Sequence, residues 1–154
     1  MKKYLHLLLT LALLTTSAFA ADAPISGSKG GKILLSAPLH TEFFVQPDRK
    51  VSITFYNEAL QQVAPTTQEI KVIAEAPTGK VTLEFEKGAT GYASKTALPA
   101  GDGYRIVVQI KNDATAKPQN FRVDFHTEIC KECGHPEYAC TCAHAGGDHS
   151  GHGH

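Results

Sequence analysis

The sequence predicts an all-β fold: an antiparallel β-sandwich of about seven short strands, followed by a C-terminal tail rich in cysteine and histidine. Three observations lead there. Apolar and polar residues alternate through several short runs, clusters of Gly, Pro, Asn and Asp separate those runs at regular spacing, and no stretch carries the apolar stripe and caps of a helix.

The first element is not part of the fold. Lys2 and Lys3 precede a Leu- and Ala-rich run from Tyr4 to Leu14, and Ala18-Phe19-Ala20 forms a small-x-small cleavage site. This is the pattern of a secretory signal peptide over residues 1–20, cut after Ala20. It places the mature chain in the periplasm or outside the cell. No later apolar run is long enough to cross a bilayer, so no membrane insertion is expected after cleavage. Residues 21–31 (ADAPISGSKGG) are small and polar, and read as a flexible leader.

The strands begin at residue 32 and fill a domain over residues 32–127. KILLS at 32–36 and EFFVQ at 42–46 are short apolar runs, the second stopped by Pro47-Asp48. In 50–56, Val51, Ile53 and Phe55 alternate with Ser52, Thr54 and Tyr56, so one face is read as buried and the other as wet. EIKVIAE at 69–75 follows. Val81, Leu83 and Phe85 share a face in 80–86, residues 91–96 make a weaker strand, and Ile106, Val108 and Ile110 define another over 104–111. Phe121, Val123 and Phe125 define the last. Regular turns between such strands give the sandwich its immunoglobulin-like reading. Tyr104, which follows Asp102-Gly103 at the entry to a strong strand, is either a tyrosine corner, its hydroxyl bonded back to upstream backbone, or a residue that only packs there. Residues 21–129 contain no cysteine, so no disulfide joins the sheets.

Composition bounds the remaining possibilities. A chain of 154 residues holds one domain with a real core. Apolar residues make up 42% and charged residues 19%, which suits neither a disordered chain nor a multi-span membrane protein. Without Lys2 and Lys3, 13 basic residues face 15 acidic ones, and no basic cluster exceeds two residues. Nucleic acid is therefore not an expected partner. No nucleophile elbow and no phosphate-cradling glycine loop occurs, so the chain does not read as an enzyme.

The chemistry lies after Thr127. Residues 128–142 (EICKECGHPEYACTC) hold all four cysteines, and residues 143–154 (AHAGGDHSGHGH) hold four histidines. The first stretch reads as a metal knuckle and the second as a disordered His-rich tail, both outside the sandwich core because no apolar run remains. Cys130-x2-Cys133 is a chelate spacing that turns two sulfurs toward one ion, and Gly134 permits the turn that brings Cys140 and Cys142 back. Thiolates suit zinc, cadmium or Cu(I). Cys140-x-Cys142 fits a single tetrahedral ion less well than a second C-x-x-C, so all four sulfurs need not share one ion. His135 and His144 are candidate substitutes for a sulfur. His144, His149, His152 and His154 form an imidazole set suited to zinc, copper or nickel, with cobalt also possible. His40 and His126 read as ordinary surface residues, although His126 stands close to Cys130. An oxidising compartment also allows structural disulfides among the four cysteines, in any of 3 pairings, or thiol redox work, which lacks its usual βαβ setting here.

With its signal peptide, single sandwich domain and the ICKECGHPEYACTC and HAGGDHSGHGH stretches, the chain resembles the small periplasmic β-sandwich proteins of heavy-metal and copper resistance systems. The resemblance implies metal buffering or hand-off to a periplasmic component of a metal efflux pump. Copper-resistance sandwiches of this kind often bind Cu²⁺ with a histidine at the mature N-terminus, or Cu(I) with Met-rich loops. Here the mature start is Ala21-Asp22-Ala23 and Met1 is the only methionine, so the resemblance does not select copper. The expected function is an exported transition-metal binder, zinc or copper first. The alternative is a protein-binding adaptor whose zinc knuckle or disulfides are purely structural.

Overall fold

Each alternating run becomes a strand because extended backbone places its apolar side chains on one face, where a second sheet can cover them. The computed structural model describes residues 25–142; residues 1–24, with the signal-peptide pattern, and the 143–154 tail lie outside that range. Within it the strands are β1 (Lys32–Leu34), β2 (His40–Val45), β3 (Val51–Tyr56), β4 (Gln62–Val63), β5 (Glu69–Ala76), β6 (Gly79–Leu83), β7 (Phe85–Lys87), β8 (Tyr92–Ser94), β9 (Tyr104–Lys111) and β10 (Gln119–Phe125). One sheet has the order β1-β2-β3-β8-β7, with β4 also paired to β3. The other has the order β10-β9-β5-β6. All pairings are antiparallel.

The two sheets share one hydrophobic core. Phe43, Val51, Ile53 and Phe55 from the first meet Val72, Ala74, Ile106, Val108, Val123 and Phe125 from the second, all fully buried. Tyr104 is a tyrosine corner: its hydroxyl donates to the Pro99 carbonyl at 2.9 Å. Arg49 braces the same connection. Its guanidinium donates to the Pro99 carbonyl and to the Tyr104 hydroxyl, and lies over the Phe125 ring, 5.3 Å from the centroid.

On β3 the face read as wet is covered too, with Thr54 1% and Tyr56 4% exposed. The structure departs from the sequence reading in three further places. First, ten short strands form among the described residues, not about seven. The run at 80–86 breaks at Glu84, so β6 stays in one sheet while β7 crosses to the other. The break separates the three apolar residues expected on one face: Leu83 is buried, Phe85 is half-buried, and Val81 is 38% exposed in the outer hairpin β5–β6.

Second, residues 26–31 do not behave as a loose leader. Ser26 bridges to Lys32, and the Gly27 amide donates to the Gly31 carbonyl at 3.0 Å. This turn is built around Glu42, a fully buried carboxylate on β2. Oε1 accepts from the amides of Lys29 and Gly31, both at 2.9 Å, and Oε2 accepts from the Tyr56 hydroxyl at 2.6 Å. A buried charge is tolerable only with partners of this kind. Burial, and then the bond to Glu42, push the Tyr56 hydroxyl pKa up. Gly27 touches the carboxylate so closely that a Cβ there would lie 2.0 Å from Glu42 Cδ. Gly27→Ala is therefore expected to cost about 1–3 kcal/mol, the usual range for overpacking, and to lower the melting temperature by roughly 4–8 °C per kcal/mol. A variant that melts within a degree of the parent would show that the turn does not dock on Glu42.

Third, the Cys-rich stretch is not detached from the core. Tyr138 is 3% exposed and belongs to the main hydrophobic cluster. Its ring meets Phe43 edge-on at 6.0 Å between centroids and Phe125 at 5.6 Å. Its hydroxyl accepts from the Val45 amide at 3.0 Å. A lone aromatic in a polar stretch carries no strand or helix pattern, yet with Ala139 beside it Tyr138 is enough to anchor fifteen residues.

Candidate metal centre

The cysteine knuckle is shaped by a short run of backbone bonds. After β10, the Cys130 amide donates to the His135 carbonyl at 2.8 Å, and the Gly134 amide donates back to the Cys130 carbonyl at 2.9 Å. The tight turn that results needs Gly134 in the left-handed region, at φ +72°. Ile129 then bridges to Pro136, and a 3₁₀ turn at Glu137–Ala139 drops Tyr138 and Ala139 into the core. Amides of Glu137 and Tyr138 donate to the carbonyls of Glu128 and His126 at 2.8 and 3.0 Å, fastening this turn to the end of β10. Cys140 emerges from the turn facing the Cys130–Cys133 loop.

The consequence is a single sulfur cluster. The Sγ atoms of Cys130, Cys133, Cys140 and Cys142 all lie within 4.8 Å of one another. Cys130 and Cys142 are 3.6 Å apart, as are Cys133 and Cys140. An ion with sulfur bonds of about 2.3 Å in a regular tetrahedron holds its sulfurs about 3.8 Å apart, so the four can hold one metal ion together. The expectation that Cys140-x-Cys142 would fit such a site poorly is replaced by this geometry. The buried Tyr138 fixes where Cys140 starts, and the Cys142 amide folds back to donate to Cys140 Sγ at 3.4 Å. All four are free thiols.

Charge in the cluster is unevenly distributed. Amide donation from Thr141, and next from His135, lowers the Cys133 pKa to about 6. Cys142 is pushed far up, chiefly by bonding to Cys130 and then Cys140. Cys140 is raised as well: the Cys142 amide acts to lower it, but burial and the sulfurs of Cys130 and Cys133 outweigh that. Four thiolates at this spacing repel one another, and a divalent cation is what lets all four lose their protons. Lys32 on β1 stands beside the cluster. Burial lowers its ammonium pKa, while Asp124 and Cys140 act to raise it.

The remaining sequence candidates fall elsewhere. His135 contributes backbone, not its ring, to the cluster: Nδ1 lies against Gly30, 3.4 Å from where a Cβ on that glycine would stand. His126 gives its carbonyl to Tyr138, and its ring lies by Gly103. His40 begins β2, away from the sulfurs by its place in the sheet. His144, His149, His152 and His154 lie outside the described residues. What the sequence did not single out is the support: Tyr138 in the core and the His135 carbonyl that holds the Cys130 amide. Comparison with known proteins adds no further identification, because no family model, no curated protein and no solved structure matches this chain.

Proposed function

We propose that the protein is an exported, non-enzymatic binder of a transition metal that buffers the ion or hands it on. The observation that carries this reading is the set of four sulfurs within 4.8 Å of one another, a donor set suited to zinc, cadmium or Cu(I). The signal-peptide pattern of residues 1–20 supports export. The resemblance to periplasmic resistance proteins supports a metal efflux component as the recipient. Under this reading Cys130, Cys133, Cys140 and Cys142 form the tight site. His144, His149, His152 and His154 form a weaker, exchangeable one, because glycine-spaced ligands must be ordered on binding.

Titration of zinc into the reduced full chain is expected to show two phases. Replacing the four tail histidines by alanine should remove only the weak phase, and replacing Cys130 and Cys133 by serine only the tight one. A single phase that survives both sets of substitutions would sink the proposal.

A second reading has one observation in its favour. Tyr138 ties the knuckle into the core, as a purely structural zinc knuckle in a protein-binding adaptor would be tied. The two readings part on exchange: a structural ion stays in place against a mild chelator, and a trafficked ion leaves.

A further inference from the structure

Among the described residues the cluster is open on one side. A cavity of about 380 Å³ adjoins it, and Cys130, Cys140 and Cys142 line that cavity whereas Cys133 does not. The rim carries the carboxylates of Glu128, Glu132 and Glu137 against the single ammonium of Lys131. None of these three carboxylates forms an ion pair among the described residues, so against Lys131 alone the rim keeps a net negative charge. A recess walled by protein and ringed by one sign of charge focuses its field on an approaching molecule.

We propose that this cavity is the exchange mouth of the metal site, and that it selects positively charged acceptors which present a thiolate to the bound ion. The inference rests on the metal-binding reading above. An acceptor thiol loses its proton to solvent and its sulfur bonds to the ion. One of the three cavity-facing cysteine sulfurs then leaves the ion and takes a proton from solvent. No electrons are transferred. Cys133 does not line the cavity, so it is the sulfur that an acceptor entering by this route meets last.

The test uses two small thiols of opposite charge, cysteamine and mercaptoacetate. The full chain, reduced and loaded with one equivalent of zinc, is mixed with each, and released zinc is followed with a chromophoric indicator. The same pair of rates is measured for Glu128→Gln/Glu137→Gln at equal zinc loading. Glu132 is kept because it stands between Cys130 and Cys133 in the loop of the knuckle. Comparing the cysteamine-to-mercaptoacetate ratio between the two proteins cancels the intrinsic reactivity of each thiol. That ratio is expected to fall by about threefold or more in the variant at low salt. In the parent it is expected to fall as sodium chloride is raised, because screening weakens the field of the rim. An unchanged ratio in the variant overturns the proposal. Should the variant lose its fold or its zinc, a salt-independent ratio in the parent overturns it instead. Zinc that resists both thiols for hours also overturns it, and leaves a closed structural knuckle. A reduced parent chain that never binds zinc defeats the metal-binding reading itself.

Discussion

Tyr138→Ala is expected to destabilise the domain by about 3–5 kcal/mol, the range for removing a buried aromatic side chain. The ring fills the space between Phe43 on one sheet and Phe125 on the other, and nothing else from the Cys-rich stretch except Ala139 reaches that core. Truncation thus opens a void at the junction of the sheets and frees the knuckle from its anchor. Tyr138→Phe keeps the ring and loses only the bond from the Val45 amide, and should cost about 1 kcal/mol. Urea denaturation of the reduced, zinc-free protein, followed by circular dichroism, separates the two. If the alanine variant loses less than the phenylalanine variant should, Tyr138 is not part of the core. Deletion of residues 128–154 should do at least as much damage as Tyr138→Ala, contrary to what a detachable tail would allow.

Zinc is expected to raise the melting temperature of the reduced protein by on the order of 15 °C when free zinc stands about a thousandfold above its dissociation constant. Binding at that ratio adds roughly 4 kcal/mol to the folded state. The four sulfurs are brought together only by the folded knuckle, so binding energy and folding energy are the same quantity. Cys133→Ser should abolish most of the rise, since it removes one of the four clustered sulfurs. Tyr138→Ala should weaken zinc binding even though its side chain is not a ligand, because the knuckle must first find its place on the core. Scanning calorimetry with zinc and then with excess chelator checks both. A melting temperature indifferent to zinc in the parent would mean that the cluster does not hold the ion.

The strands were legible because their signal is local. Ile106, Val108 and Ile110 announce a buried face by their spacing alone, and the structure buries all three. The same rule failed at Val81, where the spacing is right but the strand lies at the outer edge of a sheet and has nothing to pack against. The candidate cysteines stood out through Cys130-x2-Cys133, whereas their convergence on one cluster did not. That convergence depends on where the 3₁₀ turn sets Cys140, and the turn is placed by a contact with Phe43 far away in sequence. Glu42 shows the same limit. Nothing local in the sequence marks it as an interior position, and only the fold of residues 26–31 over it makes it one.

The bond from the Val45 amide to the Tyr138 hydroxyl spans 93 residues. Contacts of such separation form late, after the entropy of closing the intervening chain has been met by nearer pairings such as β2 with β3 and β9 with β10. The knuckle therefore belongs to the last stage of folding and the first stage of unfolding. Interactions absent from the transition state change the rate of unfolding and leave the rate of folding nearly alone. An ion held by the four sulfurs would act on that late step, so its influence is expected on the lifetime of the native state and not on the speed with which that state forms.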